Sequence, residues 1–79
     1  MRVIADIPHP HCKITLFAWN SKFIIKIEMG MLEQTYKVSE LDVSVEEDVK
    51  KLLDSEFMNT VLKRFSEMDS ALYEAIERL

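Results

Sequence analysis

The chain has 79 residues, of which 48% are apolar and 30% are charged, with one Gly, two Pro and one Cys. This length predicts one domain spanning residues 1–79, and a chain of this size buries only about 60% of its unfolded surface, which leaves a small core. The low Gly and Pro content excludes collagen-like and low-complexity structure, and the single Cys12 excludes an internal disulfide.

The net charge of −4 is unevenly distributed between the two halves of the chain. Residues 1–38 carry five basic and three acidic side chains, whereas residues 39–79 carry five basic and eleven acidic ones. Duplex DNA binding needs a strong basic footprint, which the acidic half argues against. Asp6, Pro8 and Pro10 interrupt any signal-peptide core, and no apolar stretch approaches a membrane span, so we expect a cytoplasmic protein.

Residues 2–5 are a candidate edge strand at the start of the chain. Residues 6–11 are predicted as an extended surface loop, because Pro8 and Pro10 restrict their own backbone and that of the residues before them.

The strongest local pattern lies at residues 13–29, where two runs of β-branched and aromatic residues flank Asn20 and Ser21. A two-residue loop at this point predicts a hairpin with one apolar face, and a slip of one residue would mix the faces. The opposed pairs on the inner face are Ile14–Ile27, Leu16–Ile25 and Ala18–Phe23, and those on the outer face are Lys13–Glu28, Thr15–Lys26, Phe17–Ile24 and Trp19–Lys22.

A second hairpin is predicted around Gly30 and Met31, with Gly at the position where a type II′ turn needs positive φ. The predicted strands of the meander are 13–19, 22–29 and 32–38. On the inner face Gln34 is the one polar member, and on the outer face Glu28 meets Glu33. We expect Lys13 to relieve this like-charge pair.

After the meander, the spacing of apolar residues along the sequence changes from that of strands to that of helices. Ser44 and Glu47 match a capping box, which predicts a helix over 45–53. Asp54 or Ser55 can cap a second helix, in which apolar residues recur at alternating spacings of three and four, a heptad pattern. These residues are Met58, Val61, Phe65, Met68, Leu72, Ala75 and Leu79, and Leu62 and Ile76 widen the stripe.

The second helix is long for the sheet it must cover. Residues 55–79 would extend about 37 Å, whereas a seven-residue strand reaches about 23 Å. Part of the apolar stripe is therefore expected to overhang the sheet. Either the helix breaks near Asp69 and Ser70, or its C-terminal half packs on a second subunit.

The resulting fold class is α+β. It comprises a three-stranded antiparallel meander, with residues 2–5 as a candidate fourth strand, packed by two C-terminal helices. The predicted core residues are Ile14, Leu16, Phe23, Ile25, Ile27, Tyr36, Val49, Leu52, Val61, Leu62, Phe65 and Leu72.

The sequence KITLFAWNSKFIIKIE at residues 13–28, followed by LEQTYKV at residues 32–38, resembles a family of short uncharacterised bacterial proteins. The resemblance covers about residues 3–50. It implies no catalytic motif and no assigned activity, so it contributes no functional residue.

The outer face of the meander is the first candidate site. Phe17, Trp19 and Ile24 are expected to lie together there, ringed by four lysines. If this apolar group is exposed, it needs an explanation. One interpretation is a self-association or partner surface, because aromatic anchors are typical of interface centres. A second is a single-stranded nucleic-acid platform, in which bases stack on aromatics and lysines track phosphates. In the third, Lys22 and Lys26 protect the sheet from edge pairing, and the N-terminal segment or the helix overhang covers the aromatics. The lysines are Lys13, Lys22, Lys26 and Lys37.

His9, His11 and Cys12 form the one cluster of metal-type ligands, with Asp6 nearby. Their spacing matches no established zinc or copper pattern, and no second ligand cluster follows, so no metal site is predicted. A Cys–His nucleophile pair would also need an orienting third group, which is not indicated.

No nucleotide-binding, hydrolase or metalloprotease motif is present, and we expect no enzymatic activity and no cofactor. The sequence predicts a small non-enzymatic interaction module that forms a homodimer or binds another protein. The dimer would bury either the outer aromatic group or the C-terminal stripe, which comprises Met68, Leu72, Ile76 and Leu79. The alternative function is single-stranded nucleic-acid binding through Phe17, Trp19 and the surrounding lysines.

Overall fold

The computed structural model describes residues 1–79 and contains four strands followed by two helices. The elements are β1 (Arg2–Ile7), β2 (Lys13–Trp19), β3 (Lys22–Met29), β4 (Leu32–Ser39), α1 (Glu46–Lys51) and α2 (Ser55–Glu77). The strands form one antiparallel sheet in chain order, β1-β2-β3-β4. The α+β class is therefore confirmed, and the candidate fourth strand is present as β1.

β1 is longer than the sequence indicates. It continues to Ile7, which lies opposite Ile14, so the prediction that the loop begins at Asp6 was wrong. Asp6 lies opposite Thr15 and accepts a hydrogen bond from the Thr15 hydroxyl at 3.4 Å. This pairing extends the ladder up to Pro8, which lacks the N–H that a further ladder bond requires.

The hairpin between β2 and β3 has the predicted register, with Lys13 opposite Glu28 and Trp19 opposite Lys22. Asn20 and Ser21 have φ angles of 54° and 60°. Two consecutive residues with positive φ are characteristic of a type I′ turn, whose twist matches that of the flanking strands. The turn forms without a glycine. Asn20 tolerates the left-handed region, whereas the same conformation is costly for Ser21.

The hairpin between β3 and β4 also has the predicted register, and Gly30 has the expected positive φ of 60°. Glu28 lies opposite Glu33, but the prediction that Lys13 relieves this pair was wrong. The Lys26 ammonium lies 3.4 Å from a Glu28 carboxylate oxygen and 3.8 Å from one of Glu33. Lys26 is adjacent to both carboxylates on the outer face, and Lys13 makes no ion pair.

Gln34 connects the sheet to α2. Its side-chain amide donates a 2.9 Å hydrogen bond to the Val61 carbonyl, and its amide oxygen accepts one from the Tyr36 hydroxyl. The Tyr36 ring packs edge-on against Phe57 at a centroid distance of 5.3 Å. The polar residue on the inner face is thus satisfied by the helix that covers it, as a partly buried amide requires.

α1 is shorter than predicted, with six residues, and the capping box was wrong. Val45 occupies the N-cap, and no side chain accepts a hydrogen bond there. Val49 is the one buried residue of α1. Leu53 packs against the core, whereas Leu52, predicted in the core, is 39% exposed. The helix ends before Leu52, and the chain after it turns Leu53 inward instead.

α2 is a single uninterrupted helix of 23 residues, so the break considered near Asp69 and Ser70 does not occur. The Asp54 carboxylate caps it by accepting a 2.8 Å hydrogen bond from the Phe57 N–H. Burial along the helix is confined to its first half, and every residue from 69 to 79 is exposed. Leu72, predicted in the core, is 47% exposed because it lies beyond the part of α2 that the sheet covers.

The core lies between the inner face of the sheet, Val49 of α1 and the first half of α2. Its nine buried residues are Ile14, Leu16, Phe23, Ile25, Ile27, Val49, Met58, Val61 and Phe65. Tyr36 and Leu62, also predicted as core, are half-buried at its edge. Met58 joins the core although the predicted set omits it.

We expect Ser21→Gly to raise the free energy of unfolding by up to about 1 kcal/mol, because Gly adopts positive φ without the steric cost that Ser bears. Gly30→Ala is the matched reverse change. An added Cβ at this position meets nothing within 4 Å, so its cost of about 1 kcal/mol would report backbone strain alone. Urea denaturation measures both. Equal stability of all three proteins would contradict the turn conformations.

Candidate interaction sites

The C-terminal half of α2 extends away from the rest of the protein. The molecule measures 45 × 25 × 20 Å, and its one long helix spans about 34 Å. The exposed end of α2 therefore presents an apolar stripe that the sheet does not cover.

No helix of the chain is long and apolar enough to span a bilayer.

A groove of about 650 Å³ lies between the end of α2 and the turn that joins β3 to β4. Met31 of this turn is 99% exposed, and on the helix Leu72, Tyr73 and Ile76 are each about half exposed. The complete lining comprises Met29, Gly30, Met31, Leu32, Leu62, Phe65, Ser66, Asp69, Leu72, Tyr73 and Ile76. We refer to this surface as the terminal groove.

The terminal groove forms because the apolar stripe of α2 continues after the sheet ends. Residues spaced by three and four share one helix face, so Leu72 and Ile76 keep the orientation that buries Phe65. Of the predicted C-terminal set, the structure brings Leu72 and Ile76 into the groove. Met68 packs half-buried against the core, and Leu79 lies fully exposed beyond the groove.

Two groove residues, Met31 and Tyr73, were not identified from the sequence. Met31 occupies a turn, where an apolar side chain has no neighbour to pack against. An apolar residue in a turn is itself a signal, since turns favour polar residues. Tyr73 lies outside the three–four spacing of the stripe, and no feature of the sequence identifies it as a groove residue.

Asp69 is the one charged residue that lines the terminal groove. It makes no hydrogen bond or ion pair within the chain, and neither does the side chain of Arg78 at the end of α2. Elsewhere on the helix, the Arg64 guanidinium pairs with the Glu67 carboxylate at 2.6 Å. The groove thus carries one negative charge, and the helix end beside it carries Glu74, Glu77 and Arg78.

The outer face of the sheet holds the second candidate surface. Phe17, Trp19 and Ile24 line a shallow pocket of about 290 Å³, as predicted for neighbours on one face. Ile24 is only 6% exposed, however, so the exposed apolar group of this face does not include it. It lies on an interior strand, where side chains of both neighbouring strands flank it. Trp19, at the strand end, is 49% exposed.

The lysines of the outer face fall into two groups. Lys26 is held by its ion pairs with Glu28 and Glu33. Lys22 lies opposite Trp19, and Lys37 lies opposite Ile24, and neither makes an ion pair. Lys13, at the opposite end of the face, makes no ion pair either, so two of the three unpaired lysines lie toward the Trp19 end.

The histidine–cysteine loop is not arranged as a metal centre. His9 Nδ1 accepts a 3.1 Å hydrogen bond from the His11 N–H, and the two rings meet edge-on at 5.8 Å. The structure contains no group of three or more His, Cys, Asp or Glu side chains that could hold a metal ion. Cys12 packs against the core, and burial raises the pKa of its thiol. A protonated thiol is a poor nucleophile and a poor ligand.

Comparison with protein-family models, with curated proteins and with solved structures finds no match to this chain. The terminal groove and the outer face of the sheet are therefore the observations from which a function is proposed.

We expect Cys12 to react with iodoacetamide more slowly than a free cysteine at neutral pH, because the raised pKa keeps its thiol protonated. The rate should rise with pH and reach half its maximum above the ordinary pKa of a cysteine. Mass spectrometry of samples quenched over time measures this profile, and the protein in urea serves as the control. Rapid alkylation of the folded protein at neutral pH would contradict the burial of Cys12.

Proposed function

We propose that this protein is a small non-enzymatic interaction module of the cytoplasm that forms a homodimer through the terminal groove. One observation carries the proposal. The apolar stripe of α2 continues beyond the sheet, so that Leu72 and Ile76 face an open groove instead of a core. Burial of such apolar surface stabilises a complex by about 25 cal/mol for each Å² removed from water.

The size of the surface favours a macromolecular partner over a small ligand. Stable protein interfaces bury about 1,200–2,000 Å² in total, which a short helix end alone does not supply. The terminal groove adds a second wall, formed by Met31 and Leu32 of the β3–β4 turn. A partner that contacts both walls buries the helix end and the turn together.

The terminal groove is the better of the two predicted dimer surfaces. On the outer face of the sheet, Ile24 is already buried by its neighbours and Phe17 is half-buried, so that three large apolar side chains remain exposed, Met1, Val3 and Trp19. In the terminal groove and beside it, five large apolar side chains remain exposed. These are Met31, Leu72, Tyr73, Ile76 and Leu79.

We expect light scattering at micromolar concentration to give twice the chain mass of 9.3 kDa. The double variant Leu72→Glu with Ile76→Glu should give the monomer mass, because four carboxylates would enter the interface of each dimer. Both positions are exposed in the single chain, so circular dichroism should show an unchanged fold.

Leu41→Glu is the matched control, since it makes the same change at a position that is 97% exposed and distant from the groove. This variant should remain dimeric. A wild-type mass of one chain, or a dimer that persists in the double variant, would contradict the proposal.

A second candidate function is single-stranded nucleic-acid binding through the outer face of the sheet. The unpaired Lys22 and Lys37 beside the half-exposed Trp19 favour it, since stacking on aromatics and contacts to phosphates are the two elements of such binding. The opposing consideration is the acidic character of residues 39–79, which repels a polyanion.

For the second function, we expect oligothymidine or oligouridine to quench the fluorescence of Trp19, the one tryptophan of the chain. Quenching should weaken as salt rises, because phosphate contacts release counterions. Lys22→Glu should abolish it, and Lys26→Gln should affect it less because Lys26 is already paired. Emission that does not change on addition of either oligonucleotide would remove this function.

A further inference from the structure

We infer that the free edge of β4 pairs with the same strand of a second copy, antiparallel and centred on Thr35, so that the sheets of the two copies become continuous. Glu33 of each copy then lies opposite Lys37 of the other. The inference goes beyond the proposed homodimer, because it concerns a different surface and does not depend on the terminal groove.

The two edges of the sheet differ in how well they are protected from pairing. β1 has a register shift between Val3 and Ala5 and ends next to Pro8, and both features disturb pairing along an edge. β4 has eight residues, no proline and an unbroken register with β3. A regular edge strand of this kind is a template for a further strand.

Backbone hydrogen bonds show which groups of β4 point to the free edge. The Glu40 N–H donates a 3.2 Å bond to the Ser21 carbonyl, where the β3–β4 ladder ends. Residues of an antiparallel strand direct their backbone groups alternately to one side and to the other, so the even-numbered residues of β4 bond to β3. The N–H and C=O groups of Glu33, Thr35 and Lys37 therefore point outward, where the chain has no further strand.

The free edge of β4 is accessible to a second chain. Glu33, Thr35 and Lys37 are all exposed. α2 contacts the strand on its inner face, where the Gln34 amide bonds to α2 and the Tyr36 ring packs against it. The outward backbone groups are therefore not covered by the helix.

The direction of these backbone groups limits the possible registers. A ladder forms only where outward-pointing residues of one copy oppose outward-pointing residues of the other, so odd-numbered residues must oppose odd-numbered ones. With the two-fold axis at Thr35, Glu33 opposes Lys37 on both sides of the axis. An axis at Gln34 or Tyr36 separates these two charges, and an axis at Glu33 or Lys37 places like charges directly opposite.

The Glu33–Lys37 pair also balances a charge cluster on the outer face. Within the chain, the carboxylates of Glu28 and Glu33 share one cation, the Lys26 ammonium. Lys37 makes no ion pair, and it lies four residues from Glu33 on the same strand, about 13 Å away. The two side chains cannot meet in one chain, whereas directly opposed residues of two antiparallel strands are about 5 Å apart.

The surroundings of Lys37 favour the same partner. It lies opposite Ile24, and its diagonal neighbours on β3 are Lys22 and Lys26. No carboxylate of the chain pairs with it, and the nearest charges across β3 are positive. Glu33 of a second copy therefore supplies the negative charge that the position lacks.

The remaining pairs of this register are compatible on both faces. On the inner face Leu32 opposes Val38, and Gln34 opposes Tyr36. On the outer face Thr35 opposes its own copy, and Thr–Thr pairs stabilise a sheet. A two-fold interface of this kind uses the same strand twice and closes on itself.

The contact is expected to be weaker than that of a standard protein dimer. β4 contributes eight residues, whereas a standard interface contains about 20–30 residues on each side. We therefore expect β4 to be unpaired at micromolar concentration and to pair as the concentration approaches about 1 mM. With both surfaces in use, dimers formed at the terminal groove associate further at high concentration.

Solvent exchange of single amides, measured by NMR, tests the pairing directly. Between about 50 μM and about 1 mM, the exchange rates of the Glu33, Thr35 and Lys37 amides should fall at least about twofold, since pairing withdraws them from water. The amides of Gln34 and Tyr36 already bond to β3 and should not change. Rates of the outward amides that are independent of concentration would overturn the inference.

The double variant Leu72→Glu with Ile76→Glu separates this inference from the proposed homodimer. It blocks the terminal groove and should leave the concentration dependence of the β4 amides intact. Loss of that dependence in the double variant would contradict a separate surface. A wild type that is monomeric at micromolar concentration would contradict the homodimer alone, because the β4 amides report on a different contact.

Charge exchange tests the register. Glu33→Lys alone and Lys37→Glu alone should each remove the concentration dependence, because each places like charges opposite one another on both sides of the axis. The combined exchange should restore the fall in exchange rate to within about twofold of the wild type, since opposite charges face each other again.

Lys63→Glu is the matched control, because it makes the same change of charge at an exposed position of α2. It should behave as the wild type. Pairing that persists in both single variants, or a combined exchange that fails to restore it, would contradict the Glu33–Lys37 register. Thermal unfolding of each variant distinguishes a loss of pairing from a loss of fold.

Discussion

A helix that is longer than the sheet it packs on is the constraint from which the remaining features follow. α2 has 23 residues and extends about 34 Å, whereas the longest strands have eight residues and reach about 27 Å. Gln34 determines where the covered part lies, because its amide is hydrogen-bonded to the Val61 carbonyl. Everything after Met68 therefore projects past the sheet. The apolar stripe continues beyond Met68 although the sheet does not cover it there, and this produces the terminal groove.

The division of the chain into two halves of different charge has a structural counterpart. The sheet carries two of its three unpaired lysines, Lys22 and Lys37, toward the Trp19 end of the outer face, while the projecting end of α2 is acidic apart from Arg78. The Cys12 thiol, whose pKa is raised by burial, lines neither of these surfaces. More large apolar side chains remain exposed in and beside the terminal groove than on the outer face.

The register of both hairpins could be predicted because one face of each strand is apolar, and a slip of one residue would exchange the faces. The overhang could be predicted because helix and strand lengths follow from residue counts. The burial of Ile24 could not be predicted, because it depends on side chains of the two strands that flank β3. Leu72 was wrongly predicted in the core because the heptad pattern identifies which face of a helix is apolar, but not where the sheet that covers this face ends. The second wall of the terminal groove, Met31, depends on how a turn and a helix meet in three dimensions.

Hydrogen exchange of the α2 backbone measures most directly whether a second copy covers the projecting helix. In a monomer, the amides of residues 69–77 belong to a helix end with few tertiary contacts, which opens at low free-energy cost. The homodimer predicts that their protection rises with protein concentration and falls on dilution, while the protection of Leu16 and Ile25 in the sheet stays constant. Protection at residues 69–77 that is weak and independent of concentration would show that the helix end stands alone.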